Sequence, residues 1–231
     1  MAILLTYPED KFDDEMLLEL YNWNPVFLPL KRIKYLPWIK QKYQIIDDSL
    51  AIVVTSMLAI QALVKSDVSL DKLIYVISPG AARLLRQFHF TNVFVLPVEN
   101  QQQLISDLND ILAEDDQIVF LKSNLAKELN AHAQVKNIDV YENIWTEADE
   151  KKAIAKIGAA DFTKVLITSP IEFYRFESIE EKIPQQFMTA KYYTIDHQTK
   201  GIMDGLGFEN YIPKHKRNIL KQAVWKIARE K

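Results

Sequence analysis

Two hydroxyl pairs stand where chemistry is easiest to build. Thr55-Ser56 and Thr168-Ser169 each follow a short apolar run and precede an amphipathic one. At such a strand-to-helix junction a serine or threonine caps the helix, accepting a bond from a free backbone N–H. In an open α/β sheet the same junction faces the ligand crevice, where free amides and hydroxyls hold anionic groups through the helix dipole. The two readings are compatible. Thr199 opens another helix after a strand and is again a cap or a ligand hydroxyl. Its counterpart in the other half is Ala81, so only one side donates a hydroxyl there. Tyr141 ends a strand. A tyrosine on a strand packs as a rule, whereas at a hinge its phenol would reach a cleft and donate a hydrogen bond to a leaving group.

The remaining polar groups point less sharply. His89, His132, His197 and His215 have no metal-ligand spacing, so no metal site is expected. His89 reads as a helix end, and His197, beside Thr199, is the one histidine with a site role. Lys31-Arg32-Lys34 and Lys214-His215-Lys216-Arg217 read as solvated surface, or as charge facing a polyanion from a crossover or a strand end. Asp13-Asp14-Glu15 and Glu114-Asp115-Asp116 read as solvated helix ends. Gly205 and Gly207 follow a helix, so they are a stop signal with Gly207 near C′ and not a dinucleotide fingerprint. Asn22 and Asn24 stop the first helix.

Composition narrows the chemistry. The chain has 231 residues, 48% of them apolar, enough for one large domain or two of about 100 residues each. It has no cysteine, which removes disulfides, thiol nucleophiles, zinc–thiolate sites and iron–sulfur clusters. With five glycines, a phosphate-cradling loop is not expected. A net charge of -3 and no aromatic interleaving of basic residues argue against a nucleic-acid partner. Trp23, Trp38, Trp145 and Trp225 read as packing residues. The N-terminal apolar run is too short for a signal-peptide core, and the most apolar window, Leu50 to Val64, falls short of a membrane span. The expectation is a soluble, cytoplasmic monomer without membrane contact.

The elements that must position these groups alternate. Strands are expected at Ile3–Thr6, Val26–Leu30, Ala51–Thr55, Leu73–Ile77, Val93–Leu96, Gln117–Leu121, Ile138–Tyr141, Lys164–Thr168, Tyr192–Ile195 and Glu209–Ile212. Helical patterns fall at Asp13–Tyr21, Met57–Val64, Gly80–Phe88, Gln101–Ala113, Leu125–Ala133, Ile171–Glu177, Thr199–Leu206 and His215–Glu230. Such alternation specifies parallel sheets with helices on their faces, and ten strands suit two α/β lobes better than one.

An internal repeat agrees. Ile52-Val53-Val54-Thr55-Ser56 matches Val165-Leu166-Ile167-Thr168-Ser169, and Tyr75-Val76-Ile77-Ser78-Pro79-Gly80-Ala81 lines up with Tyr193-Thr194-Ile195-Asp196-His197-Gln198-Thr199. A helix, Phe90 or Phe208, a strand, and Pro97 or Pro213 follow each. A weaker pair joins Ile3–Thr6 to Val119–Lys122, each followed by a helix and a strand. A period near half the chain means duplication. The pattern leaves the pairing open: the lobes are contiguous, or the first unit packs with the last around a middle lobe. In the second case Leu28–Leu36 and Asp139–Thr146 are neighbouring crossovers, semi-rigid because glycine and serine are scarce.

In order and spacing these segments resemble the uroporphyrinogen-III synthase family. The likeness rests on Leu4-Leu5-Thr6-Tyr7-Pro8, Leu28-Pro29-Leu30, Val54-Thr55-Ser56 with Ala59-Ile60, and Ser78-Pro79-Gly80-Ala81. It continues through Val140-Tyr141-Glu142, Ile167-Thr168-Ser169-Pro170 and Ile195-Asp196-His197-Gln198-Thr199. It covers nearly the whole length. The chain departs from the family at Tyr7, usually Arg, and at Ser78 and Asp196, usually Gly. It departs again at Ala81, often Thr, and at Ser123 and Lys127, commonly Gly and Arg.

The resemblance implies an α/β fold of two flavodoxin-like lobes with parallel sheets, joined by a two-stranded ladder that serves as the hinge, with the ligand cleft between lobes. One lobe would hold residues 1–33 plus 147–231, the other 37–138, with crossovers at 34–36 and 139–146. It implies cyclisation of hydroxymethylbilane, a linear polycarboxylate tetrapyrrole, with inversion of ring D through a spiro intermediate. Tyr141 takes the place of the family's functional tyrosine. Thr55, Ser56, Ser78, Ser123, Ser169, His197 and Thr199 would bind substrate, with Lys31, Arg32 and Lys214 adding charge. No cofactor is implied. A binding protein of two lobes, closing on a small molecule or a tetrapyrrole without chemistry, is the alternative.

Overall fold

The computed structural model describes residues 2–98, 100–214 and 217–230. Of the expected basic group, His215 and Lys216 lie outside them, as does the start of the expected helix His215–Glu230. In chain order the first elements are β1 (Ala2–Leu5), α1 (Asp14–Leu20), β2 (Pro25–Phe27), β3 (Arg32–Tyr35), α2 (Lys40–Asp47), β4 (Ala51–Val54) and α3 (Met57–Leu63). Next come β5 (Leu73–Val76), α4 (Pro79–Gln87), β6 (Val93–Val95), α5 (Gln101–Ile111), β7 (Gln117–Ser123) and β8 (Gln134–Ile144). The last are α6 (Glu147–Ile157), β9 (Phe162–Ile167), α7 (Pro170–Glu180), β10 (Lys191–Thr194), α8 (His197–Gly205), β11 (Asn210–Tyr211) and α9 (Ile219–Arg229).

The chain divides into two compact units, Met1–Arg32 with Trp145–Lys231, and Ile33–Ile144. In the first, the strand order β11-β10-β9-β1-β2 is flavodoxin-like, parallel throughout. In the second the order is β3-β8-β7-β4-β5-β6, with β8-β7-β4-β5-β6 parallel. Taking β7 and β8 as the counterparts of β1 and β2, the second sheet is the first in permuted chain order. β3 lies beside β8 at its edge, where the Leu36 amide donates to Val140. The segments 34–36 and 139–146 thus fall in and just after these two strands.

Both faces of each sheet are covered, as parallel sheets require. In the first unit Ala2 and Leu4 face one core with Phe162, Phe173 and Phe176, while Ile3 and Leu5 face another with Leu20, Val224 and Ile227. In the second, Ile52 and Val54 face α3 and α4, while Ala51 and Val53 face Leu104 and Leu108 of α5. This is the period-two alternation of a pleated strand. Lys164 is a buried exception at the start of β9. Its ammonium caps the C-terminus of α9, donating to Ile227 at 2.7 Å and to Glu230, and lies 3.6 Å from the Trp23 ring. Burial lowers its pKa, against the pull of Glu230.

The repeat is visible in backbone detail. His89 and Gly207 have φ of 68° and 82° at C′ of α4 and α8. Phe90 donates to Leu85 and Phe208 to Met203, so both helices end in one Schellman motif. Asn24, φ 47°, ends the turn after α1.

The expected elements need correction, beginning with Tyr141, which does not end its strand because β8 runs on to Ile144. The segment 125–133 is no helix, although Leu125, Leu129 and Ala133 have helical spacing. Instead the Asn137 amide pairs with both backbone groups of Leu129 (2.9 and 3.4 Å), and Asn109 accepts from the His132 amide. Side chains satisfy the backbone there, which removes the drive to a helix. Leu129 is fully buried and stands in for a helix face against α5, a burial worth about 2 kcal/mol. Two helices, α2 and α6, were not expected. The second has a capping box, Thr146 and Asp149, that the sequence displays.

Candidate functional site

In the second unit the expected hydroxyls lie at the C-terminal ends of parallel strands, where doubly wound sheets bind ligands. Ser56 follows β4 and caps α3, its Oγ accepting from the Leu58 amide at 3.2 Å. That oxygen is 2.9 Å from the Tyr141 hydroxyl of β8, 85 positions away in sequence, and either atom can donate. Two hydroxyls sharing one hydrogen bond leave one O–H unspent: the phenol proton if Ser56 donates, the Ser56 proton if Tyr141 does. The pair is a single hydrogen-bond donor whose bearer can switch. The Tyr141 ring is buried in the core beneath α3.

Tyr35 extends this edge. Its hydroxyl donates to Gln61 at 2.7 Å, and Lys65 lies 4.9 Å from its ring centre. Partial burial raises its pKa, and Tyr141 adds to the rise. Ser123 ends β7 directly opposite Tyr141 in the ladder. Ser78 caps α4, accepting from Ala81 at 3.2 Å. Thr55 faces the other side, lining a cavity of about 230 Å³ with Ile77, Phe120, Leu104 and Lys127.

The first unit arranges its residues differently. Lys31 reaches Glu172, a wholly buried carboxylate in the first turn of α7, at 3.7 Å, and its ammonium is 5.4 Å from the Tyr7 ring centre. Thr168 donates to the other Glu172 oxygen. Ser169 caps α7 by position, but its hydroxyl is buried with no partner. Thr199 is wholly buried; its hydroxyl and amide both donate to Asp196, at 2.7 and 2.8 Å. Arg32 pairs with Asp149 at 3.1 Å. The Asp149 carboxyl is held low, chiefly by the Thr146 hydroxyl. His197 is exposed in the first turn of α8, and Lys214 is exposed beyond β11.

A larger cavity, about 590 Å³, opens at the other end of this sheet beside Tyr192 and Tyr211. Its ionisable groups are spent on one another: Glu230 binds Lys226 at 2.9 Å and Lys191 at 3.0 Å. Among the described residues no cluster of acidic or histidine side chains fits a metal ion, and no helix is long and apolar enough to cross a membrane.

Sequence reading missed Glu172, Tyr35 and Lys122. Only Glu172 left a signal, three residues after Ser169 in the Ser-x-x-Glu pattern that opens a helix.

A family model described as uroporphyrinogen-III synthase HemD matches residues 14–218. No curated protein matches the chain. Among solved structures, a mutant uroporphyrinogen III synthase from Thermus thermophilus superposes with a TM-score of 0.59 at 12% identity, over 99% of this chain and 98% of that one. The wild-type enzyme in another crystal form gives 0.48 at 11% identity, covering 99% and 97%. The likeness at 0.59 speaks for the fold, and the family model, spanning most of the sequence, speaks for descent. The chain belongs to the uroporphyrinogen-III synthase family, cyclising lyases of tetrapyrrole and haem biosynthesis.

Proposed function

We propose that the chain converts hydroxymethylbilane to uroporphyrinogen III, with the Tyr141–Ser56 pair as hydrogen-bond donor to the departing hydroxyl. A pyrrole nitrogen's electron pair expels that hydroxyl, which takes up a proton and leaves as water, and a cationic azafulvene remains; the proton lost from the ring carbon on final closure restores the balance. The substituted carbon of ring D attacks it, forming the spiro intermediate, which fragments and recloses with the ring inverted. Unassisted closure gives the uninverted isomer, so the protein's main work is to hold the termini in the harder geometry.

The observation that carries this reading is the 2.9 Å contact between two hydroxyls on different strands, which leaves one O–H free at a sheet edge suited to ligands. Substrate carboxylates are received on the second unit by Ser56, Ser78 and Ser123 and on the first by His197 and Lys214, both exposed, whereas Thr55 faces the other side of its sheet and the Ser169 hydroxyl is buried, so neither is placed to receive them. Lys31, Arg32 and Thr199 already serve internal carboxylates and act by shaping the edge.

Incubation with hydroxymethylbilane and separation of the product isomers tests the activity. The type III isomer is expected; type I product alone, or binding without conversion, overturns the proposal. Tyr141→Phe is expected to lower kcat about a hundredfold, and Ser56→Ala, which leaves the phenol, about tenfold. An unchanged rate in Tyr141→Phe removes the phenol from the mechanism.

A further inference from the structure

The ladder between β7 and β8 slips. Residues pair in order as far as Lys122 with Asp139, but the next pair is Ser123 with Tyr141, and Val140 is passed over. Such bulges are rare in parallel pairs. A one-residue slip sends every later side chain to the opposite face. Here it brings Val140 and Tyr141, neighbours in sequence, to the same core face as Ile138. In an unbroken ladder Ile138 and Val140 would share that face, and Tyr141 would turn from α3 and Ser56.

A lysine sits at the slip. Lys122 is 8% exposed, a costly place for an ammonium unless its bonds are met. Its Nζ is 3.0 Å from the Asp139 carboxylate and donates to the carbonyls of Ser123 and Ala126, both at 3.2 Å. The Asp139 carbonyl accepts from Lys42 at 2.8 Å. Beyond the slip the Asn124 amide donates to the Tyr141 carbonyl, and the Asn124 side chain accepts from Asn143 at 2.9 Å. The backbone is therefore pinned on both sides of the extra residue.

We infer that Lys122 and Asp139 are positioning residues: their ion pair fixes the bulge that aims the Tyr141 phenol at Ser56. Neither touches the phenol. The inference rests on the proposed donor role of Tyr141 only for its kinetic consequence; the geometric part stands apart from it.

The test places 3-fluorotyrosine at position 141 and reads its fluorine resonance, kcat, KM and isomer ratio in the full chain. Lys122→Met is expected to move the resonance in the direction that Ser56→Ala moves it. It is also expected to lower kcat about tenfold, leave KM within about twofold and raise the share of type I product. Lys122→Arg, which keeps the charge, is expected to recover much of the rate, and Asp139→Asn to fall between. Asp139→Asn also serves if Lys122→Met fails to fold. A resonance unmoved in both Lys122→Met and Asp139→Asn overturns the inference, whatever the rates. A resonance that moves while kcat holds supports the positioning and removes the donor role of Tyr141.

Discussion

The two units have the same strand order and cap corresponding helices at corresponding positions, yet they charge those positions differently. In the second unit α3 and α4 begin with Ser56 and Ser78, and neither helix has an acid in its first turn. In the first unit α7 has Glu172 in its first turn and α8 is capped by Asp196. A carboxylate at a helix start satisfies the amides and the dipole from within. The two units share cap positions and Schellman ends but not the electrostatics. One edge answers its helices with its own acids and spends Lys31 to balance one of them. The other answers with neutral hydroxyls.

The contrast breaks most easily at Lys31. Lys31→Met takes from the buried Glu172 one of the two cations that act on it, leaving Arg175 and the Thr168 hydroxyl, and the loss of up to about 3 kcal/mol expected for a weakened buried pair should appear as a lower urea midpoint. No cap in the second unit should cost as much, and a loss below about 1 kcal/mol would show that Lys31 does not hold Glu172 as a charged pair. Asp196→Ala and Ser78→Ala sharpen the comparison at matched positions. Asp196 accepts two bonds from Thr199, Ser78 one from Ala81, so about 2 and about 1 kcal/mol are expected. Equal losses would mean the charge adds nothing.

The smallest effect is expected at Glu230. Bonds from Lys226 and then Lys191 draw its pKa down from 4.5 to about 2. A depressed folded value stabilises the protein above the ordinary one, and that contribution disappears as pH falls through about 2. The wild-type advantage over Glu230→Gln should therefore be constant near neutrality and fade between pH 4.5 and 2. An advantage that persists at pH 2 would rule out the ion pairs as its source.

Much of the fold was legible because it is local. Apolar runs of strand length, caps such as Ser56 and Ser78, and the stop at Gly207 each depend on a few neighbouring residues. The segment 125–133 misled because its leucines have helical spacing, while Asn137 and Asn109, which decide its course, lie elsewhere in the chain. The hydroxyls were legible by type, but the meeting of Ser56 with Tyr141 was not. It depends on the order of β4, β7 and β8 and on a slip of one residue that no local pattern announces. Glu172 and Lys122 were passed over for the same reason: an isolated charge in sequence gives no sign that it will be buried.

The place of β1 has a consequence for how the protein is made. It lies in the middle of its sheet, between β2 and β9, and β9 begins only at Phe162. During synthesis the ribosome must deliver every residue of Ile33–Ile144 before β1 meets its second neighbour. The inserted unit can complete its sheet while the opening strand still waits with one apolar flank bare. Birth order therefore runs from the inside outward, and β1, made before the inserted unit, is enclosed after it.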